Sequence, residues 1–176
     1  MNSFLICMAA LSLNLHNSGV ICDNSSLILQ ESSKNKLKPA LIVAVGRVES
    51  RWTTNSKSYG NACGIMQVLP KYTKNPKRTC KDLQIPEIGI QIGAKKLNYW
   101  IYKYARGNKE IGLCGYNAGF RCKGQNKNDT GLKYAKSVLK WERKFSKSLK
   151  RQKRKYKNNT IFDYLMMSLK NIGDYK

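Results

Sequence analysis

Residues 37–52 read LKPALIVAVGRVESRW, and the way this stretch folds decides the rest. Pro39 suits the first turn of a helix, where a missing N–H costs nothing. Leu41, Ile42, Val45, Val48 and Trp52 then recur at helical spacing. On that helix Glu49 falls in steps of four behind Leu41 and Val45, on the face expected to be buried. A carboxylate on an apolar face is expensive to ionise, so its pKa should rise. A carboxylic acid kept protonated near neutrality can donate to a leaving oxygen. The alternative is an ion pair between Glu49 and Arg47, Arg51 or another cation at the helix edge. Periodicity alone favours that pair and leaves both open.

The residues that follow are mostly helical, with few strand signals. Residues 53–63 are rich in Asn, Ser, Thr and Gly and read as a loop or irregular hairpin. Residues 64–70 are a short apolar run stopped by Pro70. A long helix is expected over 86–106, carrying Ile88, Ile92 and Leu97 on one side and ended by Gly107-Asn108. Core packing accounts for most of its aromatic residues, Tyr99, Trp100, Tyr102 and Tyr104. Residues 111–122 begin helically and pass into a loop around Gly119. Residues 130–145 form another helix, with Leu132, Ala135, Val138, Leu139 and Glu142 at helical spacing. The fold class is therefore mainly α.

The flanks differ in character. Residues 1–33 hold no Lys or Arg, so all 33 basic residues follow Ser33, and the formal charge is +23. Residues 1–22 carry an apolar stretch of signal-peptide length, too short for a good membrane span, and are expected to be a signal peptide or anchor. Residues 23–36 read as a polar linker and 37–145 as the folded domain. Residues 146–176 read as a basic C-terminal extension. Within it and just before it, residues 140–157 hold ten Lys and Arg and one acid, a composition for a solvated helix or disorder. Residues 161–169 are apolar enough for a short amphipathic helix.

Such a charge favours a polyanionic partner: nucleic acid, acidic lipid or an anionic bacterial envelope. No RNP, helix-turn-helix or zinc-finger pattern is present, so nucleic-acid binding is expected to be nonspecific only. The cysteines of the body are Cys63, Cys80, Cys114 and Cys122, and four cysteines permit three pairings. The local pairs Cys63–Cys80 and Cys114–Cys122 are the expected ones. Zinc is the rival, disfavoured because no CxxC spacing occurs. The one histidine, His16, lies in the leader region, which leaves triad and His-metal chemistry without its residue. Carboxylates remain, and residues 34–145 hold six: Glu49, Asp82, Glu87, Glu110, Asp129 and Glu142. Glu87 suits a helix N-terminus, and Asp82 can cap a turn. Glu110 and Glu142 lie among cations like solvated helix charges, and Asp129 falls in a polar loop. Only Glu49 lacks a sufficient structural account.

Four short motifs stand in order: Glu49-Ser50, Gly64-Ile65-Met66-Gln67-Val68, Tyr116-Asn117-Ala118-Gly119 and Tyr134-Ala135. Together with Ile88-Gly89, Gly93-Ala94 and Leu97 between the second and third, they resemble the soluble lytic transglycosylase domain of the lysozyme-like superfamily. Small size, local cysteines and the leader look most like the versions used by phages and by conjugation or secretion systems. The resemblance implies a lysozyme-like helical domain with a substrate cleft and a short irregular hairpin. It implies that Glu49 is the catalytic acid and base, supported by Ser50. Met66, Gln67, Tyr116 and Asn117 would line the glycan cleft, and Tyr134 would hydrogen-bond near the carboxyl. Tyr59, in the loop before the second motif, is a further candidate for the cleft.

The implied chemistry needs one carboxyl group, no metal and no organic cofactor. Glycosidases usually use two carboxylates about 5–9.5 Å apart. In the lytic transglycosylases the substrate's N-acetyl group is thought to replace the second, and its C6 hydroxyl attacks to give a 1,6-anhydro end. Residues 50–81 contain no Asp or Glu, which favours this route over the hydrolytic one of goose-type lysozymes. The expected partners are peptidoglycan glycan strands, with anionic cell-envelope polymers held by the basic tail. The expected location is the periplasm, cell wall or extracellular space, or a virion, and the expected state is a monomer unless the chain is part of a virion or secretion assembly, with no membrane span in the mature chain. The rivals are a hydrolytic muramidase and a non-catalytic cell-wall or nucleic-acid binder.

Overall fold

A computed structural model describes residues 2–74, 76–122 and 129–157. Helix α4, Pro39–Glu49, is its centre: every residue from Ala40 to Gly46 is buried. A helix apolar on all sides belongs in an interior. Its wall is the last helix, α8, Asp129–Tyr156, which buries Gly131, Ala135, Val138, Glu142, Phe145, Leu149 and Gln152. These positions alternate in steps of four and three, the seam of one helix packed along another. Helix α7, Lys109–Ala118, also lies against α8, as does α1, Ser3–Ser12. Between come α2 (Ser18–Asp23), α3 (Ser25–Lys34), α5 (Cys80–Gln84) and α6 (Pro86–Asn98), which passes into a wider turn of π-helix over Tyr99–Tyr104.

The expected helix of residues 37–52 ends earlier than its pattern suggests. Arg51 and Trp52 have φ of 54° and 64°, a left-handed pair that reverses the chain. Trp52 thereby swings back onto α4 and is fully buried, its indole N–H donating to the Val43 carbonyl at 3.0 Å. Gly46 makes room for it, since a Cβ there would come within 2.8 Å of the indole. Left-handed backbone costs roughly 1–2 kcal/mol per residue, and burying a large aromatic side chain more than offsets it.

The flanks are folded parts of the same body. Residues 23–36 are not a linker: α3 occupies most of them, burying Ile28 and Ser32, with Glu31 paired to Lys34 at 3.1 Å. Two apolar turns and an internally satisfied carboxylate outweigh the polar composition. Residues 1–22 contribute α1 and most of α2 to the common core through Leu5, Ile6, Ala9, Ala10 and Ile21, with a Cys7–Cys22 disulfide. No boundary falls at residue 145 either. Helix α8 runs on to Tyr156 because Ser148, Leu149 and Gln152 stay buried. Ser148 meets Ser12 at 2.7 Å, and Tyr156 packs edge-on against Phe4. The basic residues line the outer side of this helix. The expectation of a helix over 161–169 lies outside the described residues.

Local departures have equally plain causes. Glu142 is a buried ion-pair partner of Lys109 at 2.9 Å and not a solvated charge. Asp129 opens α8 and does not lie in a loop. Tyr99 and Tyr102 are exposed, and Trp100, Tyr104 and Phe120 pack edge-on or tilted against one another. The widened π turn rotates these aromatics out of the core, where only Ile101 remains buried.

Among the described residues there is no strand longer than an isolated bridge. The Asn/Ser/Gly stretch folds as an irregular hairpin pinned by the bridges Lys57–Cys63 and Cys63–Val68. The Cys63–Cys80 disulfide ties it to α5, and Cys114–Cys122 closes the end of α7, so both expected pairs are present. Gly64 is the tight point, with φ of +74° and an ideal Cβ that would collide with the Leu83 carbonyl. Gly107 also has positive φ, at +88°, but open space around it. Gly64→Ala is therefore expected to destabilise by roughly 3 kcal/mol or more. Gly107→Ala should cost about 1 kcal/mol. Urea unfolding of both variants against the wild type checks the difference.

Candidate active site

Three elements meet where α4 ends. Helix α4 carries Glu49 on its last turn, α8 brings Tyr134 across the seam, and α7 brings Tyr116. Tyr134 donates its hydroxyl hydrogen to Glu49 Oε1 at 2.6 Å. The second carboxyl oxygen takes no hydrogen bond from a described residue. Among the described residues Glu49 also has no ion pair. Arg47, its suggested partner, lies 4.8 Å over the Trp141 ring instead. Of the two readings open to periodicity, the structure takes the buried carboxyl.

The electrostatics follow from that placement. Burial lifts the Glu49 pKa from 4.5 to about 7, against the opposing pull of the Tyr134 hydrogen bond. Glu49 keeps some solvent exposure as a residue, but the protein around its carboxyl is apolar enough to disfavour the charge. Burial likewise raises the hydroxyl pKa of Tyr134 and Tyr116, and the nearby Glu49 charge adds to it. Both hydroxyls are therefore hydrogen-bond donors near neutrality. No other carboxylate contributes to the Glu49 shift. Asp82 caps α5 through Thr79, which lowers its pKa. Glu87, Glu110 and Asp129 occupy first turns of helices. The arrangement is one proton-carrying carboxyl held by a neutral donor.

The other sequence candidates divide into supports and surface residues. The Ser50 hydroxyl bonds not to the Glu49 carboxyl but to the Ile65 carbonyl, donating at 2.9 Å. Tyr116 donates to the Met66 carbonyl at 2.8 Å. Two successive hairpin carbonyls are thus held, one by the residue that follows α4 and the other by α7. Met66 is fully buried, with its carbonyl taken by the Tyr116 hydroxyl. Gln67 sits at φ 46° and spends its amide N–H groups on Gly64 and on Ser56, at 3.0–3.4 Å. Asn117 is exposed beside this cluster in sequence. Tyr59 is fully exposed in the turn closed by Ser58 and Ala62, outside the hydrogen-bonded set around Glu49.

Sequence reasoning missed three contributors: Ser56, which braces Gln67; Trp52, whose reversal ends α4; and Cys7–Cys22. The left-handed Arg51-Trp52 pair left no compositional signal, since neither residue favours that region. The third disulfide was legible in principle as a remaining even pair.

Known proteins share this fold. Lytic transglycosylase Slt from Pseudomonas aeruginosa, solved as an inactive mutant, superposes with a TM-score of 0.62 at 19% identity, covering 83% of this chain and 30% of that one. A soluble lytic transglycosylase of 70 kDa in complex with bulgecin A gives a TM-score of 0.62 at 21% identity, over 80% and 29% of the two chains. The Escherichia coli soluble lytic transglycosylase gives 0.58 at 20% identity, again over 80% and 29%. This chain thus spans about three tenths of the length of the structures it matches. These likenesses establish the lysozyme-like helical fold. The transglycosylase SLT domain family matches residues 26–139. That match takes in α3 through the first three turns of α8, including all four motifs and the Glu49–Tyr134 pair, and the chain belongs to the transglycosylase SLT domain family.

Proposed function

We propose that the chain is a peptidoglycan lytic transglycosylase that cleaves the β-1,4 bond between N-acetylmuramic acid and N-acetylglucosamine, with Glu49 as acid and then base. The observation that carries this reading is a single carboxyl with a pKa of about 7, one oxygen held by Tyr134 and no second carboxylate acting on it. A hydrolase of the usual kind needs that second group.

The sequence of events follows from the proton inventory. Protonated Glu49 gives its proton to the glycosidic oxygen as the bond to C1 of the muramic sugar breaks. The N-acetyl oxygen of that sugar stabilises the cationic carbon. Glu49, now a carboxylate, takes the proton of the C6 hydroxyl as O6 bonds to C1, which restores the acid and leaves a 1,6-anhydro end. No water is consumed. A pKa near the working pH serves both half-steps. Tyr134 fixes the carboxyl's orientation and makes its charged form less costly. Ser50 and Tyr116 act at one remove by fixing the hairpin. Asn117 and Gln67 are the polar candidates for the glycan itself.

Three disulfides suit an oxidising compartment, in keeping with a periplasmic, cell-wall or extracellular site of action. No helix among the described residues is long and apolar enough to cross a membrane. The basic side of α8 is the surface through which anionic envelope polymers would hold the enzyme near its substrate.

Purified sacculi digested with the wild type should release muropeptides with anhydro ends, identified by mass. Glu49→Gln should remain folded and lose about 10²–10⁴-fold in rate. Reducing ends from the wild type would make the enzyme a muramidase, and release by Glu49→Gln at the normal rate would remove Glu49 from the chemistry.

The pH dependence has a definite sign. Because Glu49 must begin protonated, kcat/KM should fall about tenfold per unit above pH 7. Tyr134→Phe removes the bond that favours the charged form, so this falling limb should move to higher pH while kcat drops.

Stability responds to the same group. A pKa raised on folding means that the folded state holds the proton more tightly than the unfolded chain. The stabilisation is complete below pH 4.5 and is lost as pH rises to about 7. The loss is up to about 3 kcal/mol. Glu49→Gln should abolish that slope, measured by urea unfolding across this range.

A further inference from the structure

Away from Glu49, five cations converge on one depression of about 330 Å³, lined by Lys38, Lys109, Arg143, Lys147 and Lys150 with Glu142 and Ser146. They come from three separate parts of the chain. Lys38 caps the start of α4, Lys109 is the first residue of α7, and the other three lie on α8 in steps of four and three, along one side of the helix. The one acid is already engaged, since Glu142 is 6% exposed and accepts from Lys109 Nζ at 2.9 and 3.1 Å. Lys38, Arg143, Lys147 and Lys150 are all exposed and have no carboxylate partner among the described residues.

An ordinary solvated basic face spreads its charges outward. Here four unneutralised charges from α4 and α8 border the same hollow, where their mutual repulsion is a standing cost. A single carboxylate would relieve one of the four. Phosphate groups carry up to two charges each and three acceptor oxygens, suited to the forked donors of Arg and the ammonium donors of Lys. We propose that this depression is a binding site for a ligand carrying clustered phosphate groups. It is separate from the glycan site: Lys38 and Glu49 stand at opposite ends of an 11-residue helix, about 16 Å apart. Both sites can be filled at once. The proposal does not depend on the chemistry assigned to Glu49.

The probe is tripolyphosphate, titrated calorimetrically into the full chain at low salt. The test variant is Arg143→Glu/Lys147→Glu, and the control is Lys95→Glu/Lys103→Glu, which makes the same change in net charge at exposed positions elsewhere. Thermal melts confirm that all three proteins are folded. One-to-one binding is expected, weakened at least about tenfold in the test variant and less than about twofold in the control. Equal weakening in both, or no saturable one-to-one binding to the wild type, overturns the site in favour of a diffuse field. A second arm uses phosphatidylcholine vesicles with and without a bis-phosphorylated glycolipid. Retention that depends on the glycolipid and is lost in the test variant assigns the phosphates to a membrane headgroup. Tripolyphosphate binding without vesicle retention assigns them to a soluble or polymer-borne source, and either result upholds the site.

Discussion

The burial of α4 against the seam of α8 is the constraint on which the rest of the molecule depends. From Ala40 to Gly46 the helix is enclosed on all sides, and each large aliphatic side chain contributes roughly 1.5–3 kcal/mol by leaving water. That sum exceeds what it costs to keep one carboxyl in poorly hydrated surroundings at the end of the same helix. Glu49 can therefore sit with a pKa near 7 without threatening the fold. The carboxyl is carried by a helix enclosed over seven successive residues, and the Tyr134 hydroxyl that holds it comes from the helix packed against that one.

The hairpin is the complementary part. It has almost no regular ladder of its own, so its shape is imposed from outside. Ser50 and Tyr116 bind two successive carbonyls, Gln67 binds back to Gly64 and Ser56, and Cys63–Cys80 ties the segment to α5. A two-bridge hairpin alone would be marginal in water. Fastened at these points it becomes a fixed wall beside the carboxyl. Cys114–Cys122 does the same for the loop that follows Tyr116 and Asn117.

Charge is distributed so that the site escapes it. With a formal charge of +23, a nearby cation would stabilise the ionised form of Glu49 and lower its pKa. Arg47 is instead turned onto Trp141, and the dense basic surface lies along the outer side of α8 and around the start of α4. The cluster at the start of α4 lies about 16 Å from Glu49 along the helix axis, roughly two Debye lengths at physiological salt.

Much of this was legible in the chain itself. The apolar run after Pro39 marks the central helix, and the position of Glu49 on its apolar face singles that residue out, while its role as an acid came from the motif resemblance and not from periodicity. Glycines and prolines marked the ends of α4, α6 and α7, and cysteine spacing suggested two of the three disulfides. Those signals are local, and local patterns report on helices because a helix is stabilised by neighbours in sequence. What the sequence could not decide was which apolar segments share a core. The sequence reads residues 1–36 as leader and linker, yet α1 packs on α8, more than a hundred residues away, and α3 packs on α4 and α6. Composition likewise made Glu142 a surface charge, until tertiary packing set Lys109 against it. The choice between an ion-paired and a buried Glu49 had the same character: it turned on where Tyr134, Trp141 and the hairpin came to rest, and only the assembled structure contains those distances.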